Sequence, residues 1–434
     1  MRPRTPNRAL IGLRTELGLS QEQYAELVGA EVRSVRGWET GEVTCPQARH
    51  LARLYRLHGV NHPEQLGFLP RRRAGSAATV GHTDPSEADV LRRDILGLAA
   101  AAAFTNAVAA PVARLLAPWQ HTRTPAVGAA DVARVRQTNQ TFYDVDFLIG
   151  GGALRPDVQL EQFRKAAGLL HGTFAQDSTR EELYSAVAHL GSTVGFMLFD
   201  QGQHLDARKV YLASLQVAQN ASDMWPLRSI VLSELARQCL HLGEYTDALE
   251  LLHIAHGGDD EITPTAKAML HAVRARVHAG RGDVAATDRF AGLAEEEFGH
   301  SKPVDDPSWI TWFDRAELDG EIGHAYYALA LGRKQRATQA ADRLSRAVAR
   351  HGPDQARSKA LALTKLSKVR MVQREPGAAE DGANIALQSL DLYERLQSPR
   401  VREDLLSLRP LLRPHRHLPV LAELDARLVL VGRG

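Results

Sequence analysis

Apolar residues recur every three or four positions from the start of the chain, as they do along one face of a helix. Leu10, Leu13 and Leu17 form the first such row and predict a helix over 7–17, with Gly18 supplying a left-handed cap. Ser20 is a good N-cap for a second helix from Gln21 to Val28, and Gly29 breaks the chain after it. A third helix is expected from Glu31 to Glu39, with Val35 and Trp38 facing inward and Gly41 stopping it. Pro46 opens a fourth, with Leu51, Leu54 and Tyr55 on its inner side, and Asn61-His62-Pro63-Glu64 starts a short fifth. Pro70, Arg71 to Arg73 and the Ala/Gly/Ser/Thr-rich stretch to Pro85 read as an exposed linker.

Beyond residue 130 no strand-like alternation stands out, and Ala and Leu recur at helical spacing almost to the end, so the predicted class is all-α. One phrase returns: a helix, a glycine turn, then a helix with a small residue near its start. It occurs as Phe199-Asp200-Gln201-Gly202 with Ala207 and Tyr211, and as Leu242-Gly243-Glu244-Tyr245 with Ala248 and Leu252. It recurs as Gly282-Asp283 with Ala291 and Ala294, as Leu331-Gly332 with Ala337 and Ala341, and more loosely around Pro376-Gly377. Gly202, Gly243 and Gly282 lie 41 and 39 residues apart, and Gly332 follows after a further 50. Helix pairs stacked at such a period predict an α-solenoid, in which each unit buries its apolar face on its neighbours. These segments resemble tetratricopeptide repeats, although the period exceeds the usual length of about 34.

Composition adds bounds. With 434 residues, 44% apolar and 24% charged, the chain is ordinary for a globular protein and too long for one core, which predicts two or three domains. Cys45 and Cys239 cannot form a disulfide framework and no CxxC pair is present, so a cytoplasmic setting is expected. The opening MRPRTPNRAL carries charge but no apolar run, so no secretory signal is expected. Residues 92–117 resemble an export signal or membrane span only superficially: the apolar run from Ile95 to Phe104 covers ten residues where a span needs about 20. A packed linking helix is the expected reading, with no membrane partner. The net charge of +2 is unevenly spread, because residues 1–73 hold 12 Arg against 7 Glu, a net of +5. One small basic module on a near-neutral body is the pattern expected when one end meets nucleic acid.

The two short helices joined by a glycine turn, with small Ala25 where they approach, predict a helix-turn-helix. Leu19-Ser20-Gln21-Glu22, Ala25, Leu27, Gly29, Val35, Trp38-Glu39-Thr40-Gly41 and Pro46 resemble, in order and spacing, the signature of the Xre/Cro family of repressors over about 60 residues. The resemblance implies that the helix beginning at Glu31 enters the major groove of double-stranded DNA. Carried over, it makes Val32, Arg33, Arg36 and Gly37 reading positions, with Glu31 and Ser34 in the same DNA-contacting helix and Gln21 near phosphate or an outer base. An arginine fork suits guanine O6 and N7, and Arg33 is the stronger candidate for a base contact. Val32 can offer only apolar contact, and Gly37 offers no side chain at all.

An Xre-type head on a long repeat body resembles the large regulators of actinomycete type and, more distantly, peptide-sensing repeat regulators. The resulting organisation is a five-helix DNA-binding domain at 1–68, a linker at 69–90, linking helices at 91–130 and a tetratricopeptide-like solenoid at 131–434. In the repeat register Phe196, Arg237, Arg276 and Tyr326 fall at equivalent first-helix positions, which would line the concave face and suit an anionic small molecule or a peptide carboxylate; the plainer alternative is solvated interhelix residues. There is no HExxH, GxSxG, phosphate-loop lysine motif or GxGxxG, and Gly150-Gly151-Gly152 reads as a flexible loop. His253 and His256 near Asp259 and Asp260 are a conceivable metal pair, but two histidines on a surface helix are more often plain polar residues. No enzyme activity, metal or cofactor is expected. Half-sites about one DNA turn apart call for a homodimer; a repeat scaffold acting through protein contacts is the alternative.

Overall fold

The computed structural model describes residues 6–17, 19–43, 46, 50, 54, 57–58, 66–68, 91, 95–104, 112–118, 124–258, 260–373, 375–415 and 417–433. The chain divides into two compact units, Met1–Thr83 and Asp84–Gly434. Among the described residues it is all-helical apart from two parallel two-residue strands, β1 (Ala126–Val127) and β2 (Thr173–Phe174). No helix among them is long and apolar enough to cross a membrane.

In the first unit, α1 (Arg8–Glu16), α2 (Gln21–Val28) and α3 (Val32–Glu39) surround a small core. Leu10, Tyr24, Ala25, Val28, Val35, Trp38, Leu54, Leu66 and Phe68 are buried in it. Burying one such large side chain is worth about 1.5–3 kcal/mol. Leu17, expected on the inner row, is instead exposed, because it caps α1 after the last helical turn. Asn7 closes the unit: its side chain accepts from Leu10 N at 3.1 Å and donates to the Leu66 carbonyl at 2.9 Å. The expected cap Gly18, most of the fourth and fifth helices and the linker at 69–90 lie outside the described residues.

The second unit opens with α4 (Ile95–Phe104), whose Ile95, Ala99 and Ala102 are buried. It continues with α5 (Ala129–Leu148), α6 (Pro156–Gly168), α7 (Asp177–Asp200), α8 (His204–Ala218), α9 (Met224–His241) and α10 (Tyr245–Ala255). Next come α11 (Pro264–Gly280), α12 (Val284–Gly299), α13 (Arg315–Arg333), α14 (Ala337–Arg350), α15 (Ala356–Val372) and α16 (Ala378–Tyr393). The unit ends with α17 (Pro399–Leu406), α18 (Arg409–Leu412) and α19 (Pro419–Arg433). From α7 to α16 each odd helix packs on the even helix that follows it, and the odd helices also pack on one another in series. α4 lies against α8 and α10, which buries its apolar residues inside the unit.

The turns between paired helices follow the glycines only in part. Gly202, Gly243 and Gly282 adopt φ of 74°, 76° and 74°, a left-handed conformation that side chains with a Cβ disfavour. Gly332 does not: it stays inside α13, and the left-handed residues are Lys334 at φ 55° and Arg336 at φ 66°. The expected fourth copy of the phrase is therefore displaced by two residues.

Gly150-Gly151-Gly152 is a packed turn rather than a flexible loop. Gly152 N donates to Gln397 O at 2.8 Å, and Gln397 N donates to Ile149 O at 2.6 Å. A Cβ on Gly151 would sit 2.5 Å from Met197 O, so only glycine allows this approach. These bonds, and a contact between α5 and α15, join an early helix of the unit to its later part.

Candidate nucleic-acid interface and inner polar face

The junction of α2 and α3 is set by local bonds. Ser20 Oγ accepts from Gln23 N at 3.2 Å while Gln23 Oε1 accepts from Ser20 N at 2.9 Å, a reciprocal cap that fixes where α2 begins. Gly29 ends α2 at φ 60° and ψ 43°, and the next amide, Ala30 N, donates to Ala25 O at 2.9 Å. Glu31 is extended and occupies the N-cap position, so α3 starts one residue later than expected. Val35 and Trp38 face the core, as their spacing predicts.

The opposite side of α3 is cationic. Arg33 and Arg36, three positions apart, are both exposed, Arg33 by 84% of its side chain. Arg33 Nε lies 2.5 Å from Glu31 Oε2. A pair this exposed contributes at most about 1 kcal/mol, so a stronger anion can displace the glutamate. Ser34 is half-buried and Val32 packs partly against the core.

Two expected contact residues are placed inward. Gln21 is half-buried and its Nε2 donates to Glu39 Oε2 at 2.6 Å, which commits its amide to the protein. Gly37 is buried, and a Cβ there would meet Val43 Cγ2 at 3.4 Å, so this position faces the unit's own chain. Arg14 completes the arrangement, with Nε 2.5 Å from Glu39 Oε1 and Nη1 donating to Leu19 O at 2.7 Å. The hydrogen bond to Glu39 raises the Arg14 pKa. In the sequence Glu39 is legible as the end of a helix and as one residue of the quoted signature; no local pattern relates it to Arg14.

In the second unit, three of the four expected ligand residues lie on one polar face and the fourth does not. Arg237 of α9 and Arg276 of α11 converge on Glu321 of α13; Arg237 Nη1 bonds Oε1, and Arg276 Nη1 reaches Oε2 at 2.9 Å. Burial opposes the Glu321 charge, yet the two guanidiniums hold its pKa at about 2. Phe196 of α7 lies beneath the Arg357 and Arg400 guanidiniums, at 4.7 and 5.3 Å from its ring centroid. Arg357 grips Asp146 with two bonds of 2.5 and 2.7 Å. Tyr326 is elsewhere, beside Asp288 of α12. Its expected equivalence assumed a turn at Gly332; moving the turn two residues rotates the position by about 200° around the helix.

No protein-family profile, curated protein or solved structure matches the chain. The likeness to Xre/Cro repressors is thus carried by the quoted motif residues alone.

Glu321, Arg357, Arg400, Lys365 and Asp404 complete the inner face, and none of them stood out along the chain. The one signal for such residues is a charge at the end of an otherwise apolar run, as at Asp200 after Gly195-Phe196-Met197-Leu198-Phe199. Among the described residues no group of three or more His, Cys, Asp or Glu could hold a metal. The His256 ring lies tilted 4.8 Å from that of His271; Asp259 lies outside the described residues.

Proposed function

We propose that the chain is a sequence-specific DNA-binding transcriptional regulator that acts in the cytoplasm as a homodimer and is not an enzyme. The first unit is read as a helix-turn-helix of Xre type whose α3 enters the major groove of an operator. The second unit is read as a tetratricopeptide-like α-solenoid that dimerises and takes a small-molecule or peptide effector. The observation that carries this reading is the division of α3 between buried Val35 and Trp38 on one side and exposed Arg33 and Arg36 on the other. A short helix held by its inner face and offering guanidiniums outward has the geometry of base-edge and phosphate contact. Gln21 and Gly37, which point into the unit, are left out of the reading surface.

A scaffold acting through protein contacts is the second reading, favoured by the serial packing of α7, α9, α11, α13 and α15. Selection of bound fragments from genomic DNA, followed by anisotropy titration of the enriched site at several salt concentrations, separates the two. The regulator reading expects a symmetric site, affinity falling with salt, and a loss of about tenfold or more in Arg33→Ala/Arg36→Ala. No enriched site, or equal affinity for every sequence in both proteins, supports the scaffold.

A further inference from the structure

The inner face of the second unit gathers cationic side chains that share carboxylates rather than holding one each. Arg237 and Arg276 share Glu321. Lys365 and Lys368 of α15 share Asp404 of α17, Lys365 at 2.8 Å. Four cations thus meet two carboxylates. Arg400, one helical turn before Asp404, lies 3.3 Å from Asp200 Oδ1, but Asp200 also sits 3.8 Å from Arg357 and accepts from Ser398. Glu234 approaches Arg237 Nε at 3.5 Å, and burial pushes its pKa up, toward the neutral form.

These groups are contiguous. Glu321, His324 and Tyr327 follow one another at spacings of three along α13, on a common helical face. Tyr327 lies 5.8 Å from both lysine ammonium groups. Arg237 and His241 stand four apart on α9, and His241 is 5.4 Å from Phe199, over which Arg400 lies at 5.0 Å. Arg237, Arg276, Lys365 and Arg400 keep 10, 24, 14 and 20% of their side chains accessible, so the face is recessed but open.

Nη2 of Arg237 and both ring nitrogens of His324 have no hydrogen-bond partner among the described residues, while Nε of Arg400 has the ion pair with Asp200 at 3.3 Å. Arg237 is nine-tenths buried, so its Nη2 is a charged donor left over at a desolvated site. Burial, with Lys368 and Arg276 adding to it and Asp404 opposing, brings the Lys365 pKa down to about 8.

We propose that this face is a binding site for a compact dianion, held by Arg237, Arg276, Lys365 and Arg400, with His324 as a further hydrogen-bonding partner. The chemical class is a phosphate monoester or a small dicarboxylate, because planar guanidinium forks and one ammonium recognise either group. The ligand is an effector only if the regulator reading holds; the site itself stands on the clustering of the four cations and on the unpartnered atoms of Arg237 and His324.

The test uses the full chain, with inorganic phosphate and succinate as probes and sodium chloride at matched ionic strength as the reference. Thermal melting is followed against probe concentration, and phosphorus relaxation reports phosphate binding directly. A saturable rise in Tm with phosphate or succinate beyond the chloride reference supports the site and identifies its source chemistry. Lys365→Met is expected to weaken the apparent Kd about tenfold, and His324→Phe, which leaves the four cations in place, to weaken it less. If neither probe exceeds chloride and phosphorus relaxation is unchanged, the proposal is overturned; wild-type affinity in both folded variants also overturns it. Operator binding measured on the same samples keeps the two readings apart, since its retention without anion binding sinks only this proposal.

Discussion

Arg14 and Glu39 form a two-pronged ion pair across 25 positions of sequence, Nε to Oε1 at 2.5 Å and Nη2 to Oε2 at 3.4 Å. The pair fastens α1 to the end of α3, and Gln21 joins it from the start of α2. One carboxylate therefore sets the angle at which three short helices meet. The cationic side of α3 is oriented by it without touching it.

Arg14→Ala leaves the buried Glu39 carboxylate without its guanidinium and with the Gln21 amide still bonded to it, and should cost the first unit about 1–3 kcal/mol. Hydrogen exchange on the full chain is expected to show faster exchange across α1, α2 and α3, with α7 to α16 unchanged. Unaltered protection in α3 would mean that the apolar core alone holds the three helices.

Gly37→Ala should leave DNA affinity unchanged, because the position faces Val43 and not the solvent. Replacing a helical glycine should also stabilise α3 by up to about 1 kcal/mol if Val43 yields slightly. Arg33→Ala is expected to weaken operator binding about fivefold or more. Loss of binding in a folded Gly37→Ala protein would show instead that the DNA backbone approaches this residue.

Two glycines that look alike in sequence should respond oppositely to alanine. Gly332 is helical and a Cβ there would meet nothing within 4 Å, so Gly332→Ala should stabilise by about 0.5–1 kcal/mol. Gly202 also faces open space but sits at φ 74°, so Gly202→Ala should destabilise by about 1 kcal/mol. Urea denaturation of both variants checks the sign; equal effects would contradict the displaced turn.

His189 gives a pH dependence with a definite sign. Burial, opposed by Asp223, lowers its pKa to about 4 from an ordinary value of 6.5. The unfolded chain therefore binds the proton first, so the stabilising contribution is complete above pH 6.5 and is lost as pH falls toward 4. Its size is up to about 3 kcal/mol, and His241, also brought down to about 4 chiefly by burial, acts in the same direction. Denaturation at about pH 7.5 and pH 5 should show a weaker second unit at the lower value, with a smaller difference in His189→Gln. Equal stability at both values counts against a buried neutral imidazole.

The readable part of this protein was local. Ser20 and Gly29 marked the ends of α2, and Val35 with Trp38 marked the inner face of α3, because caps and helical faces depend on residues within about four positions. Gly202, Gly243 and Gly282 were legible as turns for the same reason. Gly332 misled because a small residue near a helix end has the same composition whether the helix stops there or runs on for another half turn. The inner face was legible only as scattered arginines and aromatics, of which Tyr326 proved misplaced.

The sequence by itself determined an all-helical chain, the bounds of α1 to α3 to within a residue, the turns at Gly202, Gly243 and Gly282 and the concentration of arginine near residues 1–73, since each follows from neighbours along the backbone or from simple counting. Tertiary structure alone decided that Gln21 turns to Glu39, that Gly150 to Gly152 seat against Gln397, and that Asp146 meets Arg357 at a separation of 211 residues. A charged side chain is equally at home in solvent or in a paired interior site. Only the packing of distant helices supplies the partner and excludes the water that would otherwise make the pair worthless.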